Sequence, residues 1–517
     1  MKKFIVALLA VSLLLVISAC TEGTSSQDTE SDGTTDGSED TKDSIVIGFE
    51  SDAVTLIANN DVNYTTDAQI RNIYDPLIER DGNTGEFVPA LAEKWENIDE
   101  LTWRLKLKEG ITFHNGAEFN AESAKFSIDY ILDEANQSYY RSRWANVEQV
   151  EVLSPYEVEI TTSEPFPSLI QRIADDLLIM EPGYVNEVGT EQAAKEPVGT
   201  GAYKFVEWSR DNYLKLEAFE DYYKETPEIK NLEFRYIPEF SSRMSAFLSG
   251  EIDLFKNIPV DSVEEIKNAE NSKVEEVSSS RINYLALNTF HDGPMQDEKV
   301  REAINYAVNV DELLESILNG FGTKMTGPLS KINSGYTETE DYGHDSEKAV
   351  ELLKEAGYDP ESLELTLDTP NGRYPMDSHI AQGIASQLQK IGVTVNVQVN
   401  EWGNHLEKIQ NREMQDMYIL GWGPAFDAQS TIENLFTEVA PYSSFYNEEI
   451  EEKIYKTNAL FNQEERLAGY AEIQRDLVDK AAWVPLWQQA DLYAVRENLE
   501  FNPRVDEKMQ GYYMSWE

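Results

Sequence analysis

Arg373 sits in the stretch Thr369–Pro370–Asn371–Gly372–Arg373–Tyr374, between an alternating apolar run and a segment with helical periodicity. A guanidinium beside a helix N-terminus suits a carboxylate, because free backbone N–H groups and a rigid fork of donors converge on one anion. The same residues also describe a plain connecting loop with a solvated arginine. Bond-making chemistry has no comparable candidate. No phosphate-cradling glycine loop, zincin helix or Gly-x-Ser-x-Gly turn occurs. Five histidines, His114, His291, His344, His379 and His405, stand singly, whereas a nickel or zinc site needs imidazoles or thiolates to converge. With 95 acidic residues, a carboxylate pair carries no information. No enzyme activity, cofactor or metal site is expected.

The one cysteine, Cys20, follows Lys2, Lys3 and an apolar run from Phe4 to Ile17. That run is too short to cross a ~30 Å hydrocarbon core, which takes a helix of about 20 residues. A charged start, a short apolar core and small residues before a cut site make a secretion signal. Ile17–Ser18–Ala19–Cys20 resembles a bacterial lipobox, which implies cleavage just before Cys20 and acylation of its thiol, for example with palmitate. An ordinary signal peptide with an incidental cysteine is the alternative. Residues 1–19 are thus expected to be a signal peptide. Residues 20–43 are expected to be the lipidated cysteine and a disordered acidic tether, since Thr21–Asp43 holds almost nothing apolar.

The elements that must position Arg373 follow from periodicity. Ala349, Leu352, Leu353 and Ala356 recur at helical spacing, and Gly357 supplies the left-handed stop. Leu363, Leu365 and Leu367 alternate as a strand. Ile380, Ile384, Leu388 and Ile391 form one helix face ended by Gly392, and Val393, Val395, Val397 and Val399 alternate as the next strand. Strand, helix, strand predicts a βαβ unit with parallel pairing, hence an α/β architecture. Ligands in such folds lie beyond the carboxyl ends of the strands, where Arg373 is. The folded region is expected to begin at the apolar run Ser44–Gly48.

Length and composition set the remaining bounds. At 517 residues with 41% hydrophobic residues, the chain can bury a large core over two to four domains. With Cys20 set aside no disulfide chemistry remains, which a large exported domain tolerates. A formal net charge of −52 argues against nucleic acid or anionic lipid as a partner. It reads as a solvated acidic surface of a salt- or alkali-adapted protein. A cation-storing surface would need carboxylates at calcium-loop spacing, and none is found.

Five stretches together carry a family resemblance: Leu91–Trp95 with Thr102–Gly116, Pro197–Phe205, Asn288–Thr289 with Val300–Ala307, Leu420–Gly423, and Val484–Leu486. They resemble the bacterial extracellular solute-binding proteins of family 5, the oligopeptide, dipeptide, nickel and glutathione receptors of ABC importers. Arg373–Asp377 and Glu401–Trp402 are most similar to the glutathione-binding branch. The resemblance implies an α/β two-lobed periplasmic-binding-protein clamshell (type II) with an extra inserted subdomain. Lobe I would comprise residues 44–85, 196–281 and 492–517, with the subdomain at 86–195, and lobe II would run over 282–491. The chain would cross between lobes near Arg281 and Asp491. The implied function is a lipid-anchored, monomeric receptor on the outer face of the cytoplasmic membrane, or its periplasmic side if an outer membrane is present. It would capture a short peptide or glutathione-like compound and deliver it to an ABC permease. A nickel-chelate, opine or sugar binder of the same fold is the alternative; a peptide-presenting sensor and an exported hydrolase stand further off.

In peptide-binding relatives an aspartate soon after the Gly–Trp motif pairs with the ligand ammonium group. Here the aspartate after Trp422 is Asp427, at an altered spacing and followed by Ala428 where proline is usual. A helix N-cap is its other role. Asp427 and Arg373 are the expected charged pair. Trp402 and Trp422 are expected as the aromatic wall, each equally readable as core, and Tyr284 and Asn288 as further ligand contacts. His405 falls three residues after Trp402, though a solvated helix face is its expected place.

Overall fold

A computed structural model describes residues 42–517, Val62 and Pro424 excepted. The expected signal peptide, Cys20 and the expected tether up to residue 41 lie outside the described residues.

Ile45 and Ile47 have no solvent exposure, and their strand Ser44–Phe49 pairs in parallel with Asn231–Tyr236 on one side and Leu254–Lys256 on the other. A near-continuous apolar run suits a strand covered on both faces. This strand belongs to an eleven-stranded sheet. In spatial order its main path is 394–400, 364–370, 417–422, 272–287, 483–496, 254–256, 44–49, 231–236, 213–218 and 203–209, with Thr323–Lys324 pairing on 483–496.

Two strands in the middle are much longer than the rest: Ser272–Leu287 and Trp483–Arg496, paired antiparallel from Ser272↔Arg496 to Ala286↔Trp483. The register breaks between Ser278 and Ile282 and again between Asn283 and Tyr284. A break of this kind leaves residues unpaired and bends the ladder. One part of the long pair leans on the cluster built around Ile47, Phe234 and Tyr493. The other part contributes Tyr284 and Trp483 to a cluster with Tyr418, Phe436 and Ile473.

The βαβ unit forms as periodicity predicts. Glu364–Pro370 and Thr394–Asn400 pair in parallel, connected by the helix Asp377–Lys390, whose Ile380, Ile384 and Leu388 are buried. Gly392 follows with φ +95°, a conformation that costs a glycine little. Glu364–Pro370 also pairs with Met417–Trp422, so Arg373 and Trp422 emerge from neighbouring strands at one edge of the sheet.

A separate core lies between residues 77 and 179. Four antiparallel strands, in the order 92–99, 102–107, 157–162 and 147–154, pack on the helix Ala121–Leu132. Leu105, Phe119, Ile128, Trp144 and Ile160 are fully buried there. Contacts from this unit reach the opposite side: Trp103 and Phe461 lie 6.4 Å apart, and the Arg80 guanidinium stands 4.8 Å over the Phe426 ring.

Candidate functional site

A cavity of about 1050 Å³ opens between these parts. Tyr140, Arg143 and Arg172 line one side, and Arg373, Trp402 and Trp422 line the other. Among the described residues, six basic and seven acidic ones line it, while the whole chain has 43 against 95. The cavity is therefore close to charge balance inside a strongly anionic protein, which lowers the barrier to an anionic ligand.

Arg373 projects from the loop after Glu364–Pro370. The expected backbone anion site is not available there. Asp377 folds back, and its carboxylate accepts from the amides of Gly372 (3.1 Å), Arg373 (2.9 Å) and Tyr374 (3.2 Å), as well as from Ser378 (2.8 Å). The protein's own acid consumes the loop's N–H groups, so the guanidinium is the donor the loop offers. That guanidinium lies 5.1 Å from the Trp402 ring centre and 5.4 Å from that of Tyr374. Its Nε is buried without a hydrogen-bond partner, and among the described residues no carboxylate lies within ion-pair distance. Burial and the neighbouring Arg281 both push the Arg373 pKa down. Arg281 itself is matched by Glu507 at 3.0 Å. A desolvated cation beside another cation, with no counter-ion, is costly until an anion arrives.

Trp402 begins the helix Trp402–Gln410 and meets the Tyr374 ring edge-on at 6.1 Å. Trp422 ends the strand Met417–Trp422 and packs on Tyr442 at 5.4 Å. Both are half-buried and line the cavity. Arg373, Trp402 and Trp422 are thus brought together.

The other three expected residues are placed elsewhere. Asp427 is the N-cap of the helix Ala428–Phe436: one oxygen accepts from the Ser430 amide at 3.0 Å, and the other accepts from Gln171 of the 77–179 unit. It does not line the cavity, and both its oxygens are engaged. Tyr284 is 1% exposed and packs at a tilt against Trp483, ring centres 3.9 Å apart. Asn288 is buried, donating to the carbonyls of Met414 (2.7 Å) and Gln415 (2.8 Å). His405 corrects another expectation: it lies on no solvated face but is fully buried, with a ring nitrogen 3.0 Å from the Ile419 carbonyl. Burial lowers its pKa.

Sequence reasoning missed the rest of the lining. Arg143 and Arg172 bracket Asp176 at 3.2 and 3.9 Å. Lys508 stands 3.3 Å from Asp506. The face of the Ala428–Phe436 helix that carries Gln429, Ser430, Glu433 and Asn434 also turns to the cavity. Behind Arg281 lies a buried charge network: Lys256 touches Asp491 at 2.9 Å and Glu507 at 3.0 Å.

The family model for bacterial extracellular solute-binding proteins, family 5, matches residues 86–442. The chain belongs to this family. Glutathione-binding protein GsiB of Escherichia coli O1:K1 / APEC is 26% identical over 473 residues, covering 88% of this chain and 91% of that protein. GsiB of Pectobacterium atrosepticum is 26% identical over 415 residues, with 77% and 80% covered. Among solved structures, the ABC transporter substrate-binding protein CtaP of Listeria monocytogenes superposes with a TM-score of 0.85 at 23% identity, covering 92% of this chain and 99% of that one. DppA of Helicobacter pylori, in complex with the peptide STSA, superposes with 0.78 at 26% identity, with 92% and 98% covered. This family 5 solute-binding protein therefore has the two-lobed clamshell fold that its motifs imply. The unpaired arginine and the aromatic wall lie in the cavity of that clamshell.

Proposed function

We propose that this protein is the substrate-binding lipoprotein of an ABC importer, capturing a short peptide or glutathione-like compound outside the cytoplasmic membrane for its permease. One observation carries the ligand class: the unpaired, desolvated Arg373 guanidinium, backed by Trp402, asks for a carboxylate. The cavity's volume, just above the ~300–1,000 Å³ usual for small-molecule sites, leaves room for a peptide and waters. Relatives named for glutathione binding, and a structural neighbour holding a tetrapeptide, point the same way. Binding in this family fold works by closure of the lobes around a ligand, a population shift that makes and breaks no bond. We place lobe I at residues 44–85, 196–281 and 492–517, the inserted subdomain at 86–195 and lobe II at 282–491. The register break at Ser278–Ile282 then serves as the flexing point. Anchoring would come from acylated Cys20.

Calorimetry with glutathione and with the peptide Ser-Thr-Ser-Ala tests the assignment. Arg373→Gln should weaken whichever compound binds by at least tenfold, about 1.4 kcal/mol. An unchanged dissociation constant would remove Arg373 from the site, and absence of binding to the unaltered protein would remove the ligand class.

A further inference from the structure

Resting on the reading of this chain as a receptor for a peptide-like ligand, we infer that Glu433 is the anchor for the ligand's ammonium group, in place of Asp427. The cavity's acids decide this by their partners. Asp67, Asp175, Asp176, Asp506 and Glu507 each face an arginine at 2.7 to 3.2 Å. Their charge is spent inside the protein. Glu164 is exposed. Glu433 is half-buried, lines the cavity and has no ion-pair partner among the described residues.

The surroundings of Glu433 are built to hold it and to display acceptors. Gln429 and Asn458 donate to its Oε2 at 3.1 and 2.9 Å. Asn458 is in turn bonded to the Tyr470 hydroxyl at 2.8 Å. Asn434, the next residue on the same helix, donates its amide to the Ser430 carbonyl at 2.8 Å. Carboxylates and carbonyls accept only, so these contacts fix which amide atom is nitrogen. Every side-chain amide on this face thus has its NH2 group turned to the protein. What remains for a ligand is oxygen: Gln429 Oε1, Glu433 Oε1 and Asn434 Oδ1. A patch of acceptors around one uncompensated carboxylate fits an ammonium group, which has three donors and no acceptor. The opposite face of the helix, with Ala428, Ile432, Leu435 and Phe436, is buried in the core and holds the patch rigid.

With Arg373 on the strand-end loop and Glu433 on the helix after Trp422, the cavity offers a cation with no carboxylate partner and a half-buried carboxylate with no cation partner among the described residues. Its ligand is then a zwitterion, recognised at both its carboxylate and its free amine.

The test uses glutathione and trialanine, each with a free amine and as its N-acetyl form, titrated into the full-length protein and its Glu433→Gln variant. The glutamine preserves side-chain volume, and thermal melts check that the variant is folded. The unaltered protein should prefer the free-amine form by at least tenfold, and Glu433→Gln should abolish that preference while binding the N-acetyl form within twofold of the unaltered protein. If the variant keeps the preference, the amine is recognised elsewhere and the inference falls while the receptor reading stands. Equal binding of both forms by the unaltered protein has the same meaning. If the unaltered protein binds neither probe, the receptor reading falls and takes the inference with it.

Discussion

Replacing Lys256 with methionine should destabilise the protein by an amount that depends strongly on pH. Lys256 is buried, and its ammonium group contacts Asp491 at 2.9 Å and Glu507 at 3.0 Å. Glu507 also has Arg281 at 3.0 Å, whereas among the described residues the only other polar side chain bonded to Asp491 is Gln489, at 2.8 Å. Removing the ammonium leaves two carboxylates against one guanidinium. Removing one partner of a buried pair costs ~3–5 kcal/mol, because the other charge stays desolvated. Asp491 has a way out, which is to bind a proton; burial already raises its pKa in the intact network. From an unfolded value of ~3.9 at ~1.36 kcal/mol per unit, holding that proton costs ~4 kcal/mol at pH 7 and ~1.5 kcal/mol at pH 5. The sign follows: the variant's folded state binds a proton that its unfolded state lacks, so it gains stability relative to the original as pH falls. Urea unfolding of both proteins at pH 5, 6 and 7 measures the gap. It should shrink by more than half over that range, and the second change Asp491→Asn should remove most of its pH dependence. A gap that is constant with pH, or below ~1 kcal/mol at pH 7, would refute the assignment of Asp491 as the stranded charge.

Asp427→Ala should lower stability by ~1–2 kcal/mol through loss of the cap on Ala428–Phe436, with Asp427→Asn costing less because asparagine also caps; urea midpoints of the two variants check the order. Both should affect glutathione or Ser-Thr-Ser-Ala affinity less than Arg373→Gln does, since Asp427 bonds Gln171 and Ser430 and does not line the cavity. His114 bridges the Gly201 carbonyl (2.8 Å) and the Gly199 amide (3.3 Å), and burial pulls its pKa to about 4. Unfolded histidine takes up a proton near pH ~6.5, so stability should fall as pH drops from there towards 4, with a limiting slope near 1.4 kcal/mol per unit. His114→Gln should flatten that limb in pH-dependent melts. Cys20→Ser should move the receptor from the detergent phase to the aqueous phase on partitioning, with unchanged ligand affinity.

The fold was legible where one face of an element is buried. Ile380, Ile384 and Leu388 announce their helix by spacing alone, and the flanking alternations announce the parallel strands. The place of Arg373 on the cavity wall was legible because strand-end loops open onto the ligand side of such folds. Asp427 kept two readings in the sequence because an N-cap and an ammonium ligand call for the same residue type, and the structure shows the cap. Tyr284 and Asn288 lie in and just after a strand buried on both faces, where no alternation separates a cavity side from a core side. His405 did carry a signal, since it shares a helix face with Ile409, four residues on, and both are buried. Glu433 could not be singled out among 95 acids. Its distinction is the lack of a cation, and the cations that satisfy its rivals can lie more than 200 residues away, as Arg281 does from Glu507.

The long pair Ser272–Leu287 and Trp483–Arg496 also governs when this protein can fold. Its two strands are some 200 residues apart in the chain, and Ser44–Phe49 pairs with Asn231–Tyr236 across nearly as many. Closing such loops is slow, because their entropy must be lost before any contact repays it. The middle of the sheet stays open until Trp483–Arg496 has been synthesised. This topology delays the completed sheet until some 200 residues after its first long strand, so the early strands wait for partners far longer than in a sheet of local hairpins.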